Sequence, residues 1–170
     1  GISNQNGNYR FEPIFSPRLG ASYELSKGKN FYASISRGFS IPTVAETLTP
    51  ERTINTDLNP ETGTNYEIGF KANWLKNKLY TEINGYTIEI ENLLVAQRVA
   101  EDQYVGVNAG KTSHHGVEFL ANYRFNLSGN ISVNPFFNGS LNQFEFRNFI
   151  NNNGDFSGNK LPGVPNYTLN

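Results

Sequence analysis

The sequence contains no cysteine, no long hydrophobic run and almost no net charge. The absence of cysteine excludes a disulfide framework and thiol chemistry within these residues. No stretch of about 18 consecutive apolar residues occurs, which excludes a transmembrane helix. The net charge is −1 at neutral pH, so no strong field points to nucleic acid or to an anionic membrane surface as a partner.

The amino terminus also lacks the features of a secretory signal. Its first residues, GISNQNGNYRF, are polar and contain no apolar core of the kind that such a signal requires. We therefore expect either that the protein is not exported or that these residues are an excised part of a mature chain.

The residues that are abundant indicate a β-rich protein with polar loops. Thirteen phenylalanines, nine tyrosines and 16 glycines accompany many asparagines, although only 37% of the residues are hydrophobic. Apolar and polar residues alternate repeatedly, which is the period of a strand with one apolar and one polar face. The alternating segments are Leu19–Leu25, Phe31–Ile35, Tyr66–Trp74, Leu79–Ile83, Val117–Phe125 and Ile131–Leu141. With a further strand beginning near Val164, we predict about seven strands.

The connections between these segments are alternately short and long. The short ones, SKGKN, LKNK and NLSGN, are rich in the residues that favour tight turns. The long ones are polar and cover roughly residues 40–64, 92–114 and 145–163. Short turns at one end of a sheet and long loops at the other are typical of outer-membrane barrels.

The cross-strand register of the predicted hairpins can also be proposed from the sequence. Trp74 opposite Leu79 places Lys71 opposite Glu82, which is an attractive charge pair on the polar face. By the same reasoning we pair Leu25 with Phe31 and Phe125 with Ile131, each of which keeps apolar residues on one face.

Two local features of the strands carry further predictions. The alternation changes phase near Gly85, which predicts a β-bulge at that residue. Aromatic residues cluster within about three positions of the short turns, as an aromatic girdle at a membrane interface would require. Hairpin ends in ordinary sheets also carry aromatic residues. The clustered aromatic residues of this chain are Tyr23, Phe31, Trp74, Tyr80, Tyr123 and Phe125.

The chain offers no convincing metal or catalytic site. His114 and His115 are adjacent on a predicted strand and therefore point to opposite faces, while His114 and Glu118 lie about 13 Å apart on one face. No metal ligands and no cofactor are predicted. Carboxylates on the polar faces of different strands are explained as parts of a wall of mixed charge. These residues are Glu24, Glu67, Glu82 and Glu118. We therefore predict that the protein is not an enzyme.

Alternation alone does not decide what covers the apolar face. In a β-sandwich the same side chains would pack against a second sheet, whereas in a membrane barrel they would contact lipid. The polar face suits bulk water and a wet lumen equally well. These two possibilities remain open from the residue pattern, although the asymmetry between turns and loops favours a barrel.

An ordered series of motifs resembles one family. The chain reads SPRLGASYEL, NFYASISRGFSIPTVAET, LNPETGTNYEIGFKANW, YVGVNAGKTSHHGVEFLANYRF and GNKLPGVPNYTLN, in that order. This series, which spans nearly all of residues 16–170, resembles the C-terminal barrel region of TonB-dependent outer-membrane receptors. The most specific parts are Arg37-Gly38-Phe39, the Leu58–Glu61 approach to Tyr66-Glu67, the Asn108-Ala109-Gly110 block and Leu161-Pro162.

The resemblance implies a fold and a location. The chain would be an all-β antiparallel meander of about seven strands, forming part of a roughly 22-stranded transmembrane β-barrel with a plugged lumen. Residues 1–170 would then be a partial barrel domain of a cell outer-membrane receptor, without the plug domain, the remaining strands or the segment that engages TonB.

The resemblance also implies a function and partners. Receptors of this family bind a scarce large nutrient, often a ferric siderophore, and pass it inward when TonB acts on the plug. The implied partners are outer-membrane lipid, the plug of the same chain, TonB and a small-molecule metal chelate, but not nucleic acid.

Two groups of residues follow as expected sites. Long-loop residues with cationic, acidic or aromatic side chains are expected to form the extracellular mouth: Arg37, Phe39, Glu46, Arg52, Arg98 and Tyr104. Polar-face residues are expected to line the lumen wall and contact the plug: Glu67, Lys71, Glu82, Glu118 and Arg124.

Two alternatives to this interpretation are a soluble or surface-exposed β-sandwich that binds a ligand or mediates adhesion, and a complete eight-stranded outer-membrane barrel. The second requires an additional strand from Tyr9 to Phe15.

Overall fold

The structure, a computed structural model, describes residues 10–50, 53–108, 110–127, 131–151 and 154–170. The strands and the one short helix described there are, in chain order, β1 (Arg18–Ser26), β2 (Lys29–Ser40), α1 (Val44–Thr47), β3 (Glu61–Trp74), β4 (Leu79–Glu91), β5 (Leu94–Ala100), β6 (Gln103–Asn108), β7 (Lys111–Tyr123), β8 (Phe125–Asn126), β9 (Ser132–Val133), β10 (Phe136–Asn148), β11 (Ile150–Asn151), β12 (Gly154–Asp155) and β13 (Tyr167–Leu169).

Seven of the strands form one antiparallel sheet in the order β1-β2-β3-β4-β7-β10-β13. Neighbours in the sheet are neighbours along the chain apart from inserted two-stranded hairpins, so the predicted meander of about seven strands is confirmed. β1 and β13 are the two edges, and the sheet does not close into a barrel by itself. Because strand residues alternate between faces, we name the two faces after Phe70 and Glu67, which are on opposite sides of β3.

The sheet is a single layer with almost no core. Among the described residues, the buried hydrophobic side chains are Leu58 and Ala72, at 2% and 1% exposure. The Phe70 face remains largely uncovered, since many of its large side chains are 39% to 73% exposed: Leu19, Tyr23, Phe31, Ile35, Ile68, Ile83, Val117, Phe137, Leu141, Tyr167 and Leu169. The described residues therefore do not form a β-sandwich, because no second sheet packs on this face.

The alternative of a complete eight-stranded barrel is not supported either. Residues 10–15 form no strand, while Tyr9 lies outside the described part of the chain. The edge strands β1 and β13 are not paired with each other.

The predicted β3–β4 hairpin is confirmed in its register. Trp74 is opposite Leu79, and Lys71 is opposite Glu82. The other two predicted registers are wrong by two residues: Phe31 is opposite Tyr23 rather than Leu25, and Phe125 is opposite Val133. A shift of two keeps every side chain on its predicted face, which is why alternation could not detect it.

A tight turn and a register irregularity together explain the difference at β1–β2. The two-residue turn accounts for one residue of the shift, and the β-bulge between Glu24 and Ser26 accounts for the other. Ser26 is opposite Lys29, so that only Lys27 and Gly28 form the loop. Gly28 has a φ of +76°, a left-handed conformation that glycine adopts without a steric penalty. A two-residue hairpin is thereby possible where the sequence SKGKN suggested a longer turn.

The bulge predicted at Gly85 is wrong. β4 pairs with β3 and with β7 in unbroken register on both sides of Gly85. The change of phase has another cause: toward the long loops the Glu67 face becomes apolar, and Ile88 and Ile90 lie on it beside Tyr86.

The predicted strand from Ile131 to Leu141 is interrupted at Pro135, which has no N–H to donate to a ladder.

Candidate functional site

The Glu67 face carries the residues that the sequence predicts as a wall. The register places Glu67, Lys71, Glu82 and Glu118 on this one side of the sheet. Arg124 follows the last residue of β7 and lies at the turn end of the sheet, exposed. The four strand residues are thus brought together across β3, β4 and β7, whereas Arg124 is at their border.

The carboxylate of Glu82 is held by two tyrosines. The hydroxyl of Tyr32 donates to Oε1 at 2.9 Å, and the hydroxyl of Tyr80 donates to Oε2 at 2.6 Å. The Lys71 ammonium lies 5.5 Å from the centroid of the Tyr32 ring, within the range of a cation–π contact. Hydrogen bonds to an ionised carboxylate are stronger than neutral ones, so this cluster fixes the side chains of three neighbouring strands.

A hollow of about 390 Å³ opens on the same face. Its lining includes Glu67, Glu82 and Glu118, together with Asn84 and Ser140. Three carboxylates so close to a single lysine give this surface a negative potential, which is complementary to cationic side chains or ligands.

Two glycines on this face leave space for tyrosine rings of the neighbouring strands. Gly69 is directly opposite Tyr32, and Gly116 is directly opposite Tyr86. A Cβ added at Gly69 would lie 2.3 Å from the Tyr32 ring, and one added at Gly116 would lie 2.4 Å from the Tyr86 ring. These pairs were not identified from the sequence, because no register was predicted between β2 and β3 or between β4 and β7.

The two histidines lie on opposite faces, as the alternation predicts. His115 is on the Phe70 face, where its Nδ1 is 3.0 Å from the Thr87 hydroxyl and its Nε2 is 2.8 Å from that of Ser113. His114 is on the Glu67 face and stacks on Phe144 with ring centroids 4.3 Å apart. Within the part of the chain that the structure describes, no group of three or more potential ligands is placed to hold a metal ion.

The six residues predicted for the mouth do not converge. Arg37 is opposite Thr64 and Phe39 is opposite Thr62, so both belong to the Phe70 face and not to the Glu67 face. Arg52 lies outside the described residues.

Glu46 acts locally as a capping residue. Its Oε2 accepts hydrogen bonds from the backbone N–H of Thr43 at 2.7 Å and from the Thr43 hydroxyl at 2.8 Å, forming the capping box of α1. These hydrogen bonds to the charged form lower the pKa of the Glu46 carboxyl from its ordinary value. Its carboxylate is therefore engaged in the fold of its own loop.

Arg98 and Tyr104 are the two mouth residues that the structure brings together. They face each other across the β5–β6 hairpin, within the second long loop. Tyr104 is 55% exposed, and the Arg98 side chain is exposed with its Nε donating to the Ala100 carbonyl at 3.2 Å. A cation and an aromatic ring are thus presented at the tip of an extended hairpin.

The first two long loops are fastened together by Asn108. Its side-chain oxygen accepts from the backbone N–H of Asn59 at 2.8 Å, while its amide nitrogen donates to the carbonyls of Asn59 at 3.0 Å and of Asn92 at 2.7 Å. One side chain thereby connects three chain segments. The resemblance quoted both the Leu58–Glu61 and Asn108–Gly110 blocks, and the structure shows that they are in contact.

The same contact is reinforced by close packing. Leu58 is almost completely buried between the loops. Gly106 lies against the carbonyl of Glu46, since an added Cβ would come within 2.4 Å of that oxygen. The Asn55 amide also donates to the Gly106 carbonyl at 3.2 Å. The two loops consequently form one packed unit above the strand ends.

The Phe70 face becomes polar toward these loops. Ser113 is completely buried and donates to Glu89 at 2.6 Å, next to the contacts that it makes with His115. Lys111 pairs with Glu91, and this hydrogen bond lowers the pKa of the Glu91 carboxyl. The apolar part of the face on β3 therefore runs from Tyr66 to Trp74, about 26 Å along the strand or roughly 20 Å of height at a 40° tilt, comparable to the ~25 Å apolar band of outer-membrane barrels.

Among the described residues no helix is long and apolar enough to cross a membrane.

A comparison with protein families and one with solved structures bear on the identity of the chain. Residues 2–170 match the family described as TonB dependent receptor-like, beta-barrel.

Similar solved structures agree with that match. The pyoverdine outer membrane receptor FpvA of Pseudomonas aeruginosa is 23% identical with a TM-score of 0.62, over 91% of this chain and 21% of that chain. The siderophore receptor PirA of Pseudomonas aeruginosa is 23% identical with a TM-score of 0.59, over 79% and 25%. The alcaligin outer membrane receptor FauA of Bordetella pertussis is 20% identical with a TM-score of 0.58, over 95% and 26%.

The chain thus spans about a fifth to a quarter of the length of these receptors, whose fold it shares. The family is one of receptors rather than of enzymes, in agreement with the sequence-based prediction. From the match over almost its whole length, we conclude that this chain belongs to the TonB-dependent receptor β-barrel family.

Proposed function

We propose that this chain is a section of the barrel wall of an active transporter in the outer membrane. The full protein takes up a scarce large nutrient such as a ferric siderophore and is energised through TonB. The observation that carries this proposal is the single-layered sheet whose Phe70 face is uncovered: Ile68 is 65% exposed, Leu141 59% and Leu169 61%.

Hydrocarbon is the surrounding that suits such a face. Monomeric soluble proteins rarely expose contiguous apolar patches larger than a few hundred Å², because burying apolar surface contributes roughly 25 cal/mol per Å². A face of this kind that ends abruptly in polar residues at both strand ends fits a lipid bilayer with water on either side. In this arrangement the Phe70 face contacts outer-membrane lipid.

The Glu67 face then lines the lumen of a roughly 22-stranded barrel. Glu67, Lys71, Glu82 and Glu118 form the wall, and Arg124 lies at its lower rim. The negative hollow between the three carboxylates is complementary to cationic groups on the plug domain of the same receptor.

The long loops form part of the extracellular mouth, since outer-membrane barrels carry short periplasmic turns and long external loops. Arg98 and Tyr104, at the tip of the β5–β6 hairpin, are the proposed ligand contacts. Arg37 and Phe39 belong instead to the outer surface near the upper border of the lipid, and Glu46 serves the loop fold. A cation beside a phenol suits an anionic or aromatic metal chelate.

Uptake by the full-length receptor tests this function. Cells that carry the receptor as their only route for a candidate ferric siderophore should accumulate radioactive iron, and dissipation of the proton gradient should stop uptake without preventing ligand binding at the surface. Replacement of Arg98 and Tyr104 by alanine should weaken binding. Uptake that continues without the proton gradient would contradict active transport.

A further inference from the structure

The turn end of the sheet carries an excess of positive over negative charge. Five cations lie in or directly beside the short turns: Lys27, Lys29, Lys76, Lys78 and Arg124. Glu24 is the one carboxylate in the sequence near these turns. The turn end therefore carries a formal charge of +4, and because the whole chain carries −1, the remainder carries −5.

These cations form one continuous rim, which we name the basic rim. The backbone N–H of Asn73 donates to the Gly28 carbonyl at 2.8 Å, which connects the first turn with the second. The N–H of Arg124 donates to the Lys78 carbonyl at 2.7 Å, which connects the second turn with the end of β7. The residues that carry these charges are thus on neighbouring segments along the lower border of the sheet.

The basic rim is not neutralised from within the described residues. The ion pairs found there, Lys111 with Glu91 and Arg147 with Glu145, are both at the long-loop end. Lys27, Lys76, Lys78 and Arg124 are exposed.

Lys29 shows which surface the rim adjoins. Lys29 is opposite Ala72, on the Phe70 face, and its Nζ lies 4.1 Å from the centroid of the Trp74 ring. Trp74 in turn contacts Phe70. An ammonium group is thereby fixed on an aromatic ring at the lower limit of the apolar band, where a lysine in a bilayer reaches the headgroup level.

We propose that the basic rim binds anionic phospholipid headgroups of the periplasmic leaflet. This inference rests on the membrane orientation given under Proposed function, with the short turns on the periplasmic side. The positive charge of the rim is complementary to the phosphate of a lipid headgroup that has no ammonium group to balance it. The rim is also continuous with the lipid-facing surface, which favours a lipid over a soluble protein as its partner. Juxtamembrane lysines are attracted to anionic lipid by the same electrostatics.

The test uses the full-length receptor in vesicles that contain spin-labelled phosphatidylglycerol or phosphatidylethanolamine, and electron paramagnetic resonance measures how strongly each lipid associates with the protein. The native receptor should prefer phosphatidylglycerol by about threefold or more, and the preference should weaken at about 1 M salt, where screening acts within about 3 Å. The double variant Lys76→Gln, Lys78→Gln should lose most of this preference.

Two controls separate the rim from net charge. Arg147→Gln with Lys160→Gln removes the same charge from the long-loop end and should leave the preference unchanged. Lys76→Arg with Lys78→Arg retains the charge and should retain the preference. Equal association of both lipids with the native receptor, or an equal loss in the Arg147 and Lys160 control, overturns the inference.

Iron uptake, measured in parallel, distinguishes the inference from the proposed function. An inserted receptor that transports iron but shows no lipid preference overturns only the basic rim. If the Lys76 and Lys78 variant no longer crosslinks to a periplasmic protein but keeps its lipid preference, the rim binds a protein partner. This result also overturns the lipid assignment.

Discussion

The two ends of the same strands differ in which face is polar. In the half near the short turns, the Phe70 face presents exposed apolar residues such as Ile68, and the Glu67 face carries Lys71 and Glu82 in a hydrogen-bonded cluster. In the half near the long loops the Phe70 face carries buried Ser113 and His115, while Ile88 and Phe144 lie on the Glu67 face.

This reversal shows that the amphipathic character of the sheet depends on the position along the strands as well as on the face. A strand in a uniform solvent would keep one pattern from end to end. The change occurs above Tyr66 on β3 and at Thr87 on β4, neighbours in the sheet. We infer that the upper limit of the hydrocarbon lies there.

The largest effect is expected from a charge in the apolar half. Ile68→Arg should destabilise the folded full-length receptor in vesicles by about 1–3 kcal/mol, because an arginine between the bilayer midplane and the interface must leave water. Thr64→Arg, on the same face of the same strand but in the polar half, should cost no more than about 1 kcal/mol. Denaturant unfolding measures both, and equal costs would refute the assignment of the border.

A similar or smaller effect is expected where a glycine accommodates a ring. Gly69→Ala should cost about 1–3 kcal/mol, because the new Cβ would overlap the Tyr32 ring that Glu82 holds in place. Gly38→Ala is the matched control on the neighbouring strand, since nothing lies within 4 Å of its Cβ position, and it should change stability by no more than about 0.5 kcal/mol. Similar costs at the two positions would refute the Tyr32 packing.

A local effect is expected from the loop fastening. Asn108→Ala removes three hydrogen bonds between chain segments, and we expect about 1–3 kcal/mol of local destabilisation. Hydrogen exchange should become faster in residues 53–59 and 92–108 but remain unchanged in β3 and β4. Asn55→Ala, which removes one hydrogen bond between the loops and one local hydrogen bond to Asp57, should have a weaker effect. A global loss of protection in the Asn108 variant would contradict a loop-limited role.

The smallest effect is expected from pH. The folded pKa of Glu46 is depressed, so its contribution to the α1 cap is present above the unfolded pKa and is lost as pH falls through the folded pKa. Hydrogen exchange at the first turn of α1 should accelerate as pH is lowered through the acidic range of carboxylates, after correction for intrinsic rates. Glu46→Gln should abolish this pH dependence, and an unchanged profile would contradict the cap.

The sequence predicted the strands and their faces because period-two alternation determines on which side each residue lies. It could not determine registers that differ by two residues, since the predicted partner Leu25 and the observed partner Tyr23 are two positions apart. The tight turn at Gly28 and the bulge between Glu24 and Ser26 together select the observed register. It also mistook the change of character at Tyr86 and Ile88 for a bulge, because a pattern cannot separate an extra residue from a change of surroundings.

The candidate site was predicted less completely. Glu67, Lys71, Glu82 and Glu118 came together because they are on regular strands, whereas loop residues have no period to follow. Arg37 and Phe39 were expected in the mouth, yet β2 continues through both and alternation assigns them to the Phe70 face. The role of Asn108 depends on contacts among three loop segments, which no local pattern in the sequence encodes.

The central claim is that the Phe70 face contacts hydrocarbon while the Glu67 face lines an aqueous lumen. These residues contain no cysteine, so after replacement of any cysteine elsewhere in the full-length receptor, single cysteines for spin labels can be introduced at successive positions from Glu67 to Trp74. Labels at Ile68 and Phe70 should collide readily with oxygen dissolved in the membrane, and those at Glu67 and Lys71 with a water-soluble nickel complex. Protection of Ile68 and Phe70 from both reagents would mean that a protein layer covers the face, and the account would be wrong.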